Sequence, residues 1–125
     1  MEIKFRMEQG RVAVTVMQPF GDINAMTYET FQARAKEVLD SGVKDLLIDL
    51  AQVPYISSAG LRALNQIHTW LEPEAKWKGA ASGTYKSSHL RLLKPTARVL
   101  EILKMTGYDM YIEIFPELKS AVAAF

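Results

Sequence analysis

The chain has 125 residues, a length that fits one domain around one core, and about half of them are apolar, the ordinary globular mixture. A net charge of +1 gives no general attraction to nucleic acid or to a membrane surface, and the absence of cysteine removes disulfides and thiolate chemistry. No apolar run approaches the roughly 18 residues of a membrane span, and MEIKFRMEQG has no signal-peptide core. Residues 1–125 are therefore expected to form a single cytoplasmic domain.

Ile3, Phe5 and Met7 alternate with polar residues, and Val12, Val14 and Val16 do the same across Glu8, Gln9 and Gly10. That pattern predicts a β-hairpin. Gln18 to Asn24, punctuated by Pro19 and Gly21, reads as a loop. Asn24 is the predicted cap of a first helix whose apolar stripe is Tyr28, Phe31, Ala35, Val38 and Leu39. Gly42 is placed to end it in a left-handed conformation.

Leu46, Leu47, Ile48 and Leu50, interrupted by Asp49, suit a strand covered on both faces, although periodicity alone also allows a buried helix. After a turn at Pro54, the spacing of Leu61, Leu64, Ile67 and Leu71 becomes helical. Ser57 and Ser58 sit at the start of that helix, as capping residue types do. A hydroxyl is thus displayed at the positive end of a helix beside a strand end, where ligands of open α/β sheets collect.

Glu72 to Ser88 holds Pro73, two glycines and no sustained period, which predicts a long loop, functional or mobile. Trp77 and Tyr85 within it would pin it to the body or serve a partner. His89–Lys94 reads as a strand, and Pro95 as the first turn of a third helix with Val99, Ile102 and Leu103 buried and Gly107 as its stop. Met110, Ile112 and Ile114 alternate as an edge strand. Pro116 opens a last helix carrying Leu118, Ala121, Val122 and Phe125.

Enzymatic chemistry finds little support in these residues. His68 and His89 lie in no recognisable motif with a nucleophile, and YISSAGL is not a G-x-S-x-G elbow. Both histidines read as solvated or partly buried surface residues. Neither a catalytic set nor a metal set can be assembled, and no cofactor is implied. SSAG resembles an anion cradle, so a small-ligand or nucleotide binder at the second helix's N-terminus is one alternative, but it lacks the P-loop and the dinucleotide glycines. Lys86, Arg91, Lys94, Arg98 and Lys104 thicken the second half with positive charge. Acidic residues elsewhere balance them, which favours a solvated face over nucleic-acid binding.

The order hairpin, helix, strand, helix, strand, helix, short strand, terminal helix resembles the STAS domain. That is the α/β, SpoIIAA-like fold of bacterial anti-sigma factor antagonists and of the cytoplasmic tails of sulfate transporters. LLIDLAQVPYISSAGLRAL, residues 46–64, is similar to that family's strand, linking segment and D-S-[ST]-G-[LI] phosphorylation turn. The layout likeness spans nearly the whole chain; the motif likeness is confined to those residues. The resemblance implies a mixed β-sheet with about four helices packed mainly on one face.

Aligned on Gly60, Ser58 falls on the serine that a partner kinase phosphorylates in antagonists of this family. Ser57 stands where many members have aspartate, and Ala59 replaces a hydroxyl residue. The family's G-E-L-D becomes Gly21-Asp22-Ile23-Asn24, so Asn24 stands where an aspartate often lies near the phosphorylation site. The resemblance implies binding to an anti-sigma factor that doubles as a GHKL-type serine kinase. Arg62, Asn65, Gln66 and Thr69, off the buried stripe of the second helix, are the contact candidates. A second implication is a STAS subunit of a membrane transport complex, such as a lipid-trafficking ABC system.

Overall fold

The computed structural model describes residues 1–73 and 87–125. Its strands are β1 (Glu2–Gln9), β2 (Ala13–Phe20), β3 (Leu46–Asp49), β4 (Leu90–Leu93) and β5 (Glu113–Phe115). Its helices are α1 (Tyr28–Asp40), α2 (Ser58–Leu71), α3 (Ala97–Thr106) and α4 (Leu118–Ala123), with a 3-10 turn at Tyr108–Met110. Among the described residues the strands form one sheet in the order β1-β2-β3-β4-β5. β1 and β2 are an antiparallel hairpin, with Glu2 opposite Phe20 and Gln9 opposite Ala13, and the remaining pairs are parallel.

The two-residue period of a strand explains how one sheet supports two apolar layers. Met17, Leu46, Ile48, Leu90 and Leu92 share a core with Phe31 and Ala35 of α1, Leu64 and Ile67 of α2, and Val99 and Leu103 of α3. Val14, Val16, Leu47 and Leu93 meet Ala121 and Val122 of α4 in a second cluster. Three helices thus cover one face and the short α4 the other, and the continuous apolar run of β3 is buried at every position. Burying one such side chain contributes about 1.5–3 kcal/mol.

Several boundaries depart from the sequence-based expectation. β2 continues through Gln18, Pro19 and Phe20, which pair with Lys4, Ile3 and Glu2, so the loop begins only at Gly21. The N-cap of α1 is Thr27, not Asn24; Asn24 Oδ1 instead accepts the Met26 N–H at 2.9 Å and caps the turn before the helix. Pro95 precedes an N-cap at Thr96, whose hydroxyl accepts the Val99 N–H, and Pro116 precedes Glu117 at the cap of α4. Met110 belongs to the 3-10 turn and not to β5. Met7 is 62% exposed; its sulfur accepts the Thr15 hydroxyl at 3.1 Å across the hairpin, and it lines a shallow groove with Ser41, Gly42 and Val43 beyond the end of α1. Gly42 and Gly107 do take the positive φ expected at helix ends, +108° and +82°.

Candidate functional site

Two loops that are far apart in sequence are stitched together above the sheet. The Gly21 N–H donates to Gln52 O at 2.9 Å, the Ile23 N–H to Tyr55 O at 3.0 Å, and the Ser57 N–H to Ile23 O at 2.9 Å. Ile23 and Ile56 form a parallel bridge with both side chains buried, so Asn24 and Ser57 follow it in step. Gly60 is what lets α2 sit this close. A Cβ there would lie 2.5 Å from Ile23 O and 2.7 Å from Ile56 Cγ1.

The two serines at the helix start differ in task. Ser57 is the N-cap, extended at φ −90° and ψ 177°, and its Oγ accepts the Gly60 N–H at 3.3 Å. Ser58 is the first helical residue; it is exposed, and its hydroxyl bonds to none of the described residues. Asp22 is exposed, and its carbonyl accepts the Thr27 hydroxyl at 2.7 Å. The expected set Asp22, Asn24, Ser57, Ser58 and Gly60 is therefore gathered on one clasp.

α2 buries Leu61, Leu64 and Ile67 as its spacing predicts, along with Ala63 and His68. Arg62, Asn65 and Thr69 are exposed and Gln66 is half-buried. Thr69 spends its hydroxyl on its own helix, donating to Asn65 O at 3.0 Å. Burial raises the pKa of the Tyr108 phenol, and the charge of Arg62 opposes that shift, so the α2 surface reaches the turn after α3.

Sequence reasoning missed the opposite wall of the site. A groove of about 410 Å³ separates the start of α2 from α3, lined by Tyr55, Ser58, Leu61, Arg98, Glu101 and Met105 among others. The Arg98 guanidinium stacks on the Tyr55 ring, 4.6 Å from its centre. Met105 is 78% exposed, and Met26 on the neighbouring loop is 90% exposed. Arg98 is exposed, as its reading among the solvated basic residues implies; what the sequence does not show is its place over Tyr55, lining one groove with Ser58.

The far end of α2 is a structural lock. Glu72 is buried, and its Oε1 accepts the Ser88 N–H at 2.8 Å, the Ser87 hydroxyl at 3.0 Å, the His89 N–H at 3.1 Å and the Ser88 hydroxyl at 3.2 Å. Burial pushes its pKa up, but the donors from Ser88, Ser87 and His89, with the charge of His89, outweigh it and hold the carboxyl below its usual range. Of the predicted loop, Trp77 and Tyr85 lie outside the described residues.

His68 is buried, not solvated, and desolvation lowers its pKa against the opposing pull of Glu72. His89 is half-buried, with Nδ1 2.9 Å from Asp45 Oδ1. Arg91 is also no surface residue: it lies buried against the Phe125 ring at 4.7 Å. Among the described residues no group of His, Asp or Glu could hold a metal ion, and no helix is long and apolar enough to cross a membrane.

Comparison with known proteins places this geometry. The STAS domain family model matches residues 6–75, and no curated protein matches the chain by sequence. An anti-sigma factor antagonist from Mycobacterium paratuberculosis superposes with a TM-score of 0.73 at 20% identity, over 98% of this chain and 93% of that one. The phosphorylated form of the Bacillus cell fate determinant SpoIIAA gives a TM-score of 0.60 at 16% identity, over 95% and 96%. The murine anion transporter Slc26a9 gives a TM-score of 0.64 at 17% identity, over 87% of this chain and 17% of the transporter. These likenesses establish a SpoIIAA-like α/β fold, and the family match covers more than half of the sequence. The chain belongs to the STAS domain family.

Proposed function

We propose that the chain is a regulatory protein-binding module, a single cytoplasmic STAS domain over residues 1–125 acting as an anti-sigma factor antagonist without catalytic residues. Its partner is an anti-sigma factor that doubles as a GHKL-type serine kinase, and Ser58 is the residue that the kinase modifies. The observation that carries this reading is the division of labour at α2: Ser57 caps the helix, leaving Ser58 exposed and unbonded among the described residues. The unmodified protein docks the start of α2, Arg62, Asn65, Gln66 and Thr69 against the partner and frees the sigma factor.

Phosphorylation adds about −1.5 to −2 charges at Ser58. A helix N-terminus tolerates them, so the fold persists while the interface is lost. Losing ~3 kcal/mol of binding weakens a complex more than a hundredfold, enough for a switch. The test is incubation with the host's anti-sigma kinase and ATP, followed by mass spectrometry. Phosphate on Ser58 supports the reading; phosphate elsewhere, or none, removes the switch.

The likeness to the Slc26a9 chain favours a second reading, a STAS subunit seated on a membrane transport complex. Affinity purification from native lysate separates the two: a kinase of the GHKL type supports the first, an ABC ATPase the second.

A further inference from the structure

We propose that Arg98 of α3 is the receiver of the Ser58 phosphate, so that phosphorylation withdraws an arginine from the partner-facing surface in addition to placing charge there. The proposal rests on the reading of Ser58 as the phosphorylated residue and says what the modified side chain then does.

Arg98 and Ser58 line the same groove from its two walls. Arg98 is exposed, and among the described residues it makes no hydrogen bond or ion pair, only the ring contact with Tyr55 at 4.6 Å. It makes no ion pair with Glu101, one turn further along α3, although both line the groove. The guanidinium lies over the ring and none of its N–H groups bonds to a described residue, so they are open to phosphate oxygens, which arginine takes in a bidentate pair. Tyr55 is itself held, because its carbonyl accepts the Ile23 N–H at 3.0 Å in the clasp. The cation therefore stands over a residue whose backbone is tied into the clasp, three positions before the serine.

The other charged groups near Ser58 are Glu101, which lines the groove, and Asp22, on the clasp, both of which oppose a phosphate, and Arg62, one turn along α2 from Ser58. Arg62 is the competing receiver, and its charge also acts on Tyr108 in the turn after α3. Arg98 is the one of the two that lines the groove with Ser58.

In the modification the Ser58 oxygen bonds to the γ-phosphorus of ATP as the bond from that phosphorus to the β–γ bridging oxygen breaks. ADP leaves, and the hydroxyl proton passes to the base of the kinase. The new dianion then draws the Arg98 fork across the groove. A partner that had used the Arg98 fork finds it engaged by the phosphate.

The test uses the full chain with phosphoserine installed at position 58 during translation, so it depends on no kinase. Phosphorus NMR follows the second ionisation of the phosphate with pH, ordinarily near ~6. The expected result is a value below that, rising by about half a unit or more in Arg98→Gln and staying put in Arg62→Gln. An unchanged titration in Arg98→Gln, or an equal rise in Arg62→Gln, overturns the proposal while leaving Ser58 as a phosphorylation site. Arg98→Lys, which keeps the charge but not the fork, is expected to restore only part of the shift; full restoration would refute the bidentate geometry.

Discussion

Ser57 and Ser58 are neighbours with opposite commitments: the Ser57 Oγ accepts the Gly60 N–H at 3.3 Å, whereas the Ser58 hydroxyl bonds to none of the described residues. Ser57→Ala should therefore cost about 1 kcal/mol of stability, the usual loss for an N-cap. Ser58→Ala should stay within about 0.5 kcal/mol of the parent, as exposed substitutions do. Urea unfolding of the two variants decides the matter. A larger loss for Ser58 would make it the structural serine.

Gly60 and Gly107 test two different reasons for glycine. At Gly60 an added Cβ meets the Ile23 carbonyl at 2.5 Å, a backbone atom that cannot step aside without opening the clasp. Gly60→Ala should cost about 3 kcal/mol or more, as overpacking of a tight core does. At Gly107 the space is open and only the φ of +82° resists a side chain, so Gly107→Ala should cost about 1–2 kcal/mol. Equal losses in chemical denaturation would mean that the clasp yields.

Glu72 and His68 make the fold sensitive to acid. Each has a folded pKa below its unfolded value, 4.5 for the glutamate and 6.5 for the histidine. Their contributions are therefore complete above those values and are lost as pH falls from them through the folded ones. Stability should decline first below about pH 6.5 and again below about pH 4.5. Glu72→Gln should flatten the lower step. Glu72→Ala should cost about 1–3 kcal/mol at neutral pH by stranding the Ser87 hydroxyl and the Ser88 and His89 N–H groups. Urea midpoints measured across a pH series check both steps.

Arg91 is a buried cation with incomplete compensation. Its Nη1 donates to Ser88 O at 2.7 Å, but Nε has no hydrogen-bond partner and lies 3.8 Å from the Glu113 carboxylate. Arg91→Met keeps the contact with Phe125 and removes the burial cost, so it should be neutral or stabilising by up to about 1 kcal/mol. Arg91→Ala should instead lose about 2 kcal/mol through the void it leaves. Thermal melts of the two variants should move apart. If both lose stability equally, the charge is needed.

The sheet and the start of α2 were legible because their signals are local. The apolar run of β3, the change to helical spacing at Leu61 and the serine pair all sit within one short stretch. Cap positions were less legible, since Asn24, Thr27, Pro95 and Thr96 are all acceptable near a helix start and geometry chooses among them. What could not be read was long-range. Arg98 meets Tyr55 from another element, Glu72 gathers donors from the start of β4, and Arg91 is buried by the chain's last residue. Each looks polar and solvated in sequence because the partner that defines it is distant along the chain.

The Glu72 lock lies at the opposite end of α2 from Ser58, a separation of 14 residues or about 20 Å of helix. Pro73, exposed just beyond the lock, is thus a place to attach a fluorophore or affinity handle remote from the serine.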